Sequence, residues 1–121
     1  MNPYLFVYGT LRKGARGGRF MIERSEHVGE GKIEAKLYQV SWYPAAIRAT
    51  GSYVVGDVFR LRNPEETLKR LDEYEDAPNL YVREEIKVEM NDGRKLKAWV
   101  YLFNQPVEPH LEIPSGDFLR R

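Results

Sequence analysis

The sequence predicts an α+β fold, a mixed, curved, barrel-like β-sheet with two short helices, formed as one domain over residues 1–121. Three observations predict it. Aromatic and β-branched runs recur along the chain at strand length. One segment, "NPEETLKRLDEYE", carries start signals and a helical period. The order β, short α, several β, α and then a β-hairpin suits helices packed on a mixed sheet.

Each element follows from its residues. Tyr4 to Tyr8 is a compact apolar run and reads as a buried strand. Gly14, Gly17 and Gly18 loosen the chain before a helical turn or two from about Arg19 to Arg24. "IEAKLYQV" (33–40) begins with alternation at Ile33, Ala35 and Leu37 and reads as a half-buried strand. In "SWYPAAI", Pro44 argues for an edge or a bend. "YVVGDVFRL" is a further strand, whose Gly56 marks a bulge or a close backbone approach.

The second helix is the clearest local signal. Asn63 is a good N-cap, Pro64 suits the first helical position, and Glu65 and Glu66 favour the positive helix start. Glu65 with Lys69 and Glu66 with Arg70 stand in the favourable i,i+4 order. Leu68 and Leu71 form the apolar stripe, and Pro78 ends the helix before "DAPN". "YVREEIKVEM" alternates, with Val82, Ile86, Val88 and Met90 on one face. "NDG" is a hairpin turn, and "RKLKAWVYLF" is its partner strand. The tail "NQPVEPHLEIPSGDFLRR" has three prolines and no period, so it is expected to lie over the domain as a loop.

Composition narrows the function. Apolar residues make up 42% and charged residues 31%, a globular balance. The absence of cysteine excludes disulfides, thiolate catalysis and cysteine-ligated zinc. No stretch approaches the ~20 apolar residues of a membrane span, and no secretory pattern opens the chain, so a cytoplasmic location is expected. Nineteen basic against eighteen acidic groups give a net charge of +1, which does not suit a dedicated nucleic-acid binder. The charges are uneven: Arg12, Lys13, Arg16, Arg19 and Arg24 crowd the start, and acids crowd residues 65–76. Two solvated surface stretches would explain this equally well.

Glu75 stands out within the acidic stretch. It follows Leu71 by four residues and Leu68 by seven, so it shares their buried face. A carboxylate there is costly unless a site uses it. Burial, the negative helix end and the acids Asp72, Glu73 and Asp76 would all raise its pKa, as a general base near neutral pH requires. The same spacing also fits a frayed final turn with solvated acids. The glycine-rich basic loop after the first strand offers backbone N–H groups to an anion, although it is neither a Walker loop nor GxGxxG.

The motifs "VYGTL", "YPAAI", "GDVFRL", "LDEYEDAPNLYVR" and "IPSGDFLR", in that order, resemble the γ-glutamylcyclotransferase-like (AIG2-like) family over most of the chain. The helix end is most similar to the γ-glutamylamine cyclotransferase branch. This resemblance implies a substrate loop at Tyr8, Gly9, Thr10 and Leu11, and a catalytic base at Glu75, with Asp72 and Glu73 not the base. Some relatives have Gly where this chain has Asp76. The implied reaction closes the α-amine of a small-molecule γ-glutamyl substrate on its own γ-carbonyl. It releases 5-oxoproline with no metal or cofactor.

Other residues carry weaker signals. Tyr81 follows the acidic turn and either lines the pocket or is a plain strand tyrosine. His27 and His110 lack metal-ligand spacing. Ser115, Asp117 and His110 lack a nucleophile elbow, and Ser115 and Asp117 are expected to tie the tail down. Trp42 and Trp99 are expected in core or rim packing. A non-catalytic binding module for a small anionic metabolite stays open, as does a nucleic-acid adaptor using Arg12 to Arg24. No membrane partner is expected, and the oligomeric state is not legible.

Overall fold

Alternating apolar residues on five strands close a sheet on itself. The computed structural model describes residues 1–107 and 110–121. The strands are β1 (Tyr4–Val7), β2 (Ser25–Gln39), β3 (Pro44–Leu61), β4 (Tyr81–Met90) and β5 (Lys95–Phe103). Their order is β3-β1-β5-β4-β2, and β2 pairs back onto β3 to complete the barrel. Among the described residues only the β1–β5 contact, at Leu5 and Trp99, is parallel. Helix α1 (Gly18–Arg24) follows β1, and α2 (Pro64–Tyr74) joins β3 to β4. A two-residue strand, β6 (Leu111–Glu112), adds to β2 at Tyr38 and Gln39.

The period of two splits the apolar residues into two layers. Phe6, Ile33, Val54, Val58, Val88 and Val100 belong to one cluster drawn from all five barrel strands, which fills the interior. Leu5, Val7, Phe59 and Leu61 alternate with them and face outward, beneath Met21 of α1 and Leu68 and Leu71 of α2. Full burial of each large apolar side chain stabilises the fold by about 1.5–3 kcal/mol. Val82, expected on the inner face with Ile86, Val88 and Met90, is only half-buried.

Helix α2 forms as its signals require. The Asn63 side chain accepts from the Glu66 N–H at 3.4 Å, and Pro64 opens the helix. Neither i,i+4 pair closes into an ion pair; Glu66 accepts from Asn63 Nδ2 at 2.9 Å instead. Gly56 is a close-approach glycine, since a Cβ there would lie 2.3 Å from the Val7 carbonyl oxygen.

Three expectations need correction. The strand expected at 33–40 begins at Ser25, because its first half pairs with the end of β3 despite Gly29 and Gly31. The strand expected from Tyr53 begins already at Pro44, where an edge or a bend was expected. Pro44 is its first residue, and the register jumps from the Arg48–Ala35 pair to the Tyr53–Glu34 pair. The skipped residues bulge outward with Gly51 at φ +84°. The tail is not merely laid over the surface: Ile113 and Phe118 are buried in the barrel cluster, and Ile113 N–H donates to the Leu37 carbonyl at 2.7 Å. Glu108 and Pro109, within the expected loop, lie outside the described residues.

Candidate active site

The loop after β1 is folded so that the carbonyls of Gly9 and Thr10 are engaged while the first N–H groups of the loop are not. The Gly9 carbonyl accepts from Arg12 N–H at 3.2 Å, and the Thr10 carbonyl from Gly17 N–H at 2.6 Å. The N–H groups of Gly9, Thr10 and Leu11 have no acceptor among the described residues. Gly9 itself is packed tightly, since a Cβ would lie 2.8 Å from Pro44 Cγ.

Arg12 is not part of a solvent-facing basic patch. It is 4% exposed, and its guanidinium reaches three carboxylates: Asp57 at 3.0 Å, Asp117 at 2.8 Å and Glu30 at 3.0 Å. His27 Nε2 adds a 2.9 Å contact to Asp57, and Lys13 N–H donates to the same carboxylate at 3.1 Å. This cluster anchors the loop to β2, β3 and the tail, so Asp117 does tie the tail down. Beside it, Ser115 Oγ accepts from Asp117 N–H at 3.2 Å.

Glu75 continues the phase of α2, its N–H donating to the Leu71 carbonyl at 2.8 Å. It is half-buried, and no side chain among the described residues donates to its carboxylate. Burial pushes its pKa up to about 7. The helix end and the neighbouring acids, also expected to raise it, are not what carries the shift. Asp72 accepts from Arg83 Nε at 2.8 Å and from Tyr101 hydroxyl at 2.7 Å. Burial alone would raise Asp72, but these bonds outweigh it and hold the carboxyl below its ordinary range. Asp76 stands at φ +53°, the left-handed turn that glycine favours after a helix, and accepts from Asn79 Nδ2 at 3.2 Å.

One cavity of about 180 Å³ brings Glu75 together with Tyr8, Gly9, Thr10, Leu11 and Tyr81. All six residues singled out in the sequence therefore line the same space. Sequence reasoning missed Tyr43, Pro44 and Tyr101 among the other residues of the walls. The only local signal for the first two was the aromatic–proline pair in "YPAAI". Tyr8 hydroxyl donates to the Tyr101 carbonyl at 2.5 Å and accepts from Ala46 N–H at 3.2 Å. Tyr81 hydroxyl donates to the Pro44 carbonyl at 2.7 Å. Burial pushes Tyr8, Tyr81 and Tyr101 above the ordinary tyrosine range, so all three stay neutral. With their hydroxyls engaged, Tyr8 and Tyr81 offer a ligand ring surface rather than hydrogen bonds.

Residues 5–120 match the family described as gamma-glutamyl cyclotransferase, AIG2-like. The chain belongs to that family. A relative from Escherichia coli K12, Gamma-glutamylcyclotransferase family protein YtfP, is 32% identical over 118 residues, covering 97% of this chain and 96% of its own. The solution structure of the E. coli protein superposes with a TM-score of 0.72 and covers 96% of both chains. The gamma-L-glutamyl-butirosin B gamma-glutamyl cyclotransferase of Niallia circulans is 33% identical over 123 residues, 96% of this chain and 75% of that one. The crystal structure of YkqA from Bacillus subtilis gives a TM-score of 0.78 at 25% identity. It covers 99% of this chain and 40% of YkqA, so the present chain spans about two-fifths of that protein.

Proposed function

We propose that this family member is a γ-glutamylcyclotransferase in which Glu75 is the general base. The observation that carries the reading is the half-buried Glu75 carboxylate, with a pKa raised to about 7, in the same cavity as the unengaged loop N–H groups. A γ-glutamyl head folded in the cavity places its α-amine against its own γ-carbonyl. Such alignment can supply effective molarities of about 10⁵ M or more. The amine nitrogen bonds to the carbon of the γ-carbonyl while Glu75 takes its proton. The oxyanion, or the substrate α-carboxylate, accepts from the N–H groups of Gly9 to Leu11. Glu75 then returns the proton to the leaving nitrogen as the old C–N bond breaks, giving 5-oxoproline and a free amine or amino acid. These steps are proton transfer and positioning, and the proposal calls for no cofactor.

A module that only held a small anion would be poorly served by this arrangement, because a carboxylate lines the same small space as the donors. The nucleic-acid reading also loses its support. Arg12 is buried in ion pairs, Arg19 pairs with Glu23, and Arg24 stacks 4.0 Å over Phe20. No helix among the described residues is long and apolar enough to cross a membrane. A cytoplasmic location is part of the proposal, and the cysteine-free composition is compatible with it. The test is to incubate the protein with γ-glutamyl dipeptides, glutathione and γ-glutamylamines and to measure 5-oxoproline. Release from at least one class is expected, and silence across the panel would overturn the proposal.

A further inference from the structure

The cavity is too small to enclose a whole γ-glutamyl compound. Its volume of about 180 Å³ lies under the ~300 Å³ at which pockets for drug-sized ligands begin. Its uncommitted polar groups, the loop donors and Glu75, are those the γ-glutamyl head requires. The leaving portion must therefore lie across the opening.

Two side chains mark where. Trp42 lines the cavity yet is 57% exposed, an unusual place for an indole unless it meets a ligand. It is not on a loose loop. Tyr43 packs edge-on against it at 5.2 Å, and the next residue, Pro44, is held through its carbonyl by Tyr81. The exposed Arg16 guanidinium lies 6.0 Å from the Trp42 ring centroid. It has no carboxylate partner among the described residues. By contrast, Arg83, which touches the lining residue Tyr101, is bound to Asp72. No lysine or arginine lines the cavity itself. Arg16 is thus a cation without a carboxylate partner, set over the exposed indole at the opening.

We infer that Trp42 and Arg16 form a leaving-group subsite for an amine bearing both a flat apolar group and a carboxylate. In chemical terms, the favoured substrate is the γ-glutamyl derivative of an aromatic α-amino acid. The inference rests on the cyclotransferase reading of the same cavity. The ring stacks on the indole, and the planar guanidinium takes the carboxylate through paired N–H donors. The proposed reaction releases either an amine or an amino acid, and the opening of the cavity matches the carboxylated one.

Three compounds separate the contributions: γ-glutamyl-phenylalanine, γ-glutamyl-phenethylamine, which lacks the carboxylate, and γ-glutamyl-glycine, which lacks the ring. The wild-type kcat/KM for 5-oxoproline release should favour the first over each of the others by about three- to tenfold, the range of one partly exposed contact. Arg16→Gln should bring the phenylalanine-to-phenethylamine ratio near one, and Arg16→Lys should restore part of it. Trp42→Ala should collapse the phenylalanine-to-glycine ratio. Both side chains are exposed, and melting curves will show whether the variants stay folded. Equal wild-type values, or ratios that survive the substitutions, overturn the subsite. If none of the compounds yields 5-oxoproline, calorimetric binding of the same three to the wild-type protein separates the two claims. The same ranking in affinity supports the subsite while the cyclotransferase reading fails, and no ranking overturns both.

Discussion

Replacing Arg83 with methionine removes the cation that holds Asp72 while keeping a long apolar stem beside Trp99, over which the guanidinium now stacks at 4.5 Å. Asp72 would keep only the Tyr101 hydroxyl as a donor. Its charge would then act on Glu75, three residues on along the same helix face, where side chains begin about 5–6 Å apart. With carboxylates roughly 7 Å apart and an effective dielectric constant near 40, the repulsion is about 1 kcal/mol, or about 0.7 of a pH unit. The groups that share the cavity with Glu75 are Tyr43, Tyr74 and the three tyrosines that burial keeps neutral, Tyr8, Tyr81 and Tyr101, with Glu73 and Asp76 exposed beside it. In the kcat/KM profile for 5-oxoproline release, the acid limb should therefore move upward from about 7. Asp72→Asn in the same background should bring it back. Each variant should also lose about 1–2 kcal/mol in urea unfolding, less than a fully buried pair because both side chains are partly exposed. A limb that stays in place in a folded Arg83→Met protein would refute the shielding, whatever the stability loss.

Gly9→Val forces the loop off Pro44, because even its Cβ would sit 2.8 Å from the ring. KM should rise at least about tenfold with the donors displaced; an unchanged KM in a folded variant places the substrate elsewhere. Arg12→Met strands Asp57, Asp117 and Glu30 without their cation and should cost about 3–5 kcal/mol in urea unfolding. A loss under about 1 kcal/mol would show that the cluster is not an anchor. Glu75→Gln should stabilise the fold in a defined pH window. The folded pKa of about 7 lies above the ordinary 4.5, so the wild type loses stability as pH rises from 4.5 through 7. The variant's gain should be absent below that window and complete above it. Allowing for solvent reaching this half-buried group, it should be about 1–2 kcal/mol. A gain independent of pH would contradict the burial of the charge.

Helix α2 and the hairpin after Met90 were legible because their signals are local: a cap, a proline at the first turn, a 3.6-residue stripe, an Asn-Asp-Gly turn. The burial of Glu75 followed from the same stripe. What escaped depends on distant partners. Arg12 reads as one more charge in a basic loop, yet its carboxylates lie 18, 45 and 105 residues away. The first half of β2 is rich in charge and glycine, and only its pairing with β3 makes it a strand. Phe118 and Ile113 sit in a proline-rich tail without a period, and the barrel interior accepts them because their volume completes it. Of the groups expected to meet an anion, the backbone donors of Gly9 to Leu11 are unengaged, whereas Arg12 is held by carboxylates.

The central claim is that Glu75 moves the proton. It is tested most directly by comparing 5-oxoproline release from wild type and Glu75→Gln under saturating γ-glutamyl substrate, with calorimetric binding measured on the same samples. Glutamine keeps the shape and cannot act as the base. Turnover should fall by at least about a hundredfold while substrate still binds, as expected when a general base is removed. Substantial residual turnover in a pure, folded Glu75→Gln sample would contradict the account.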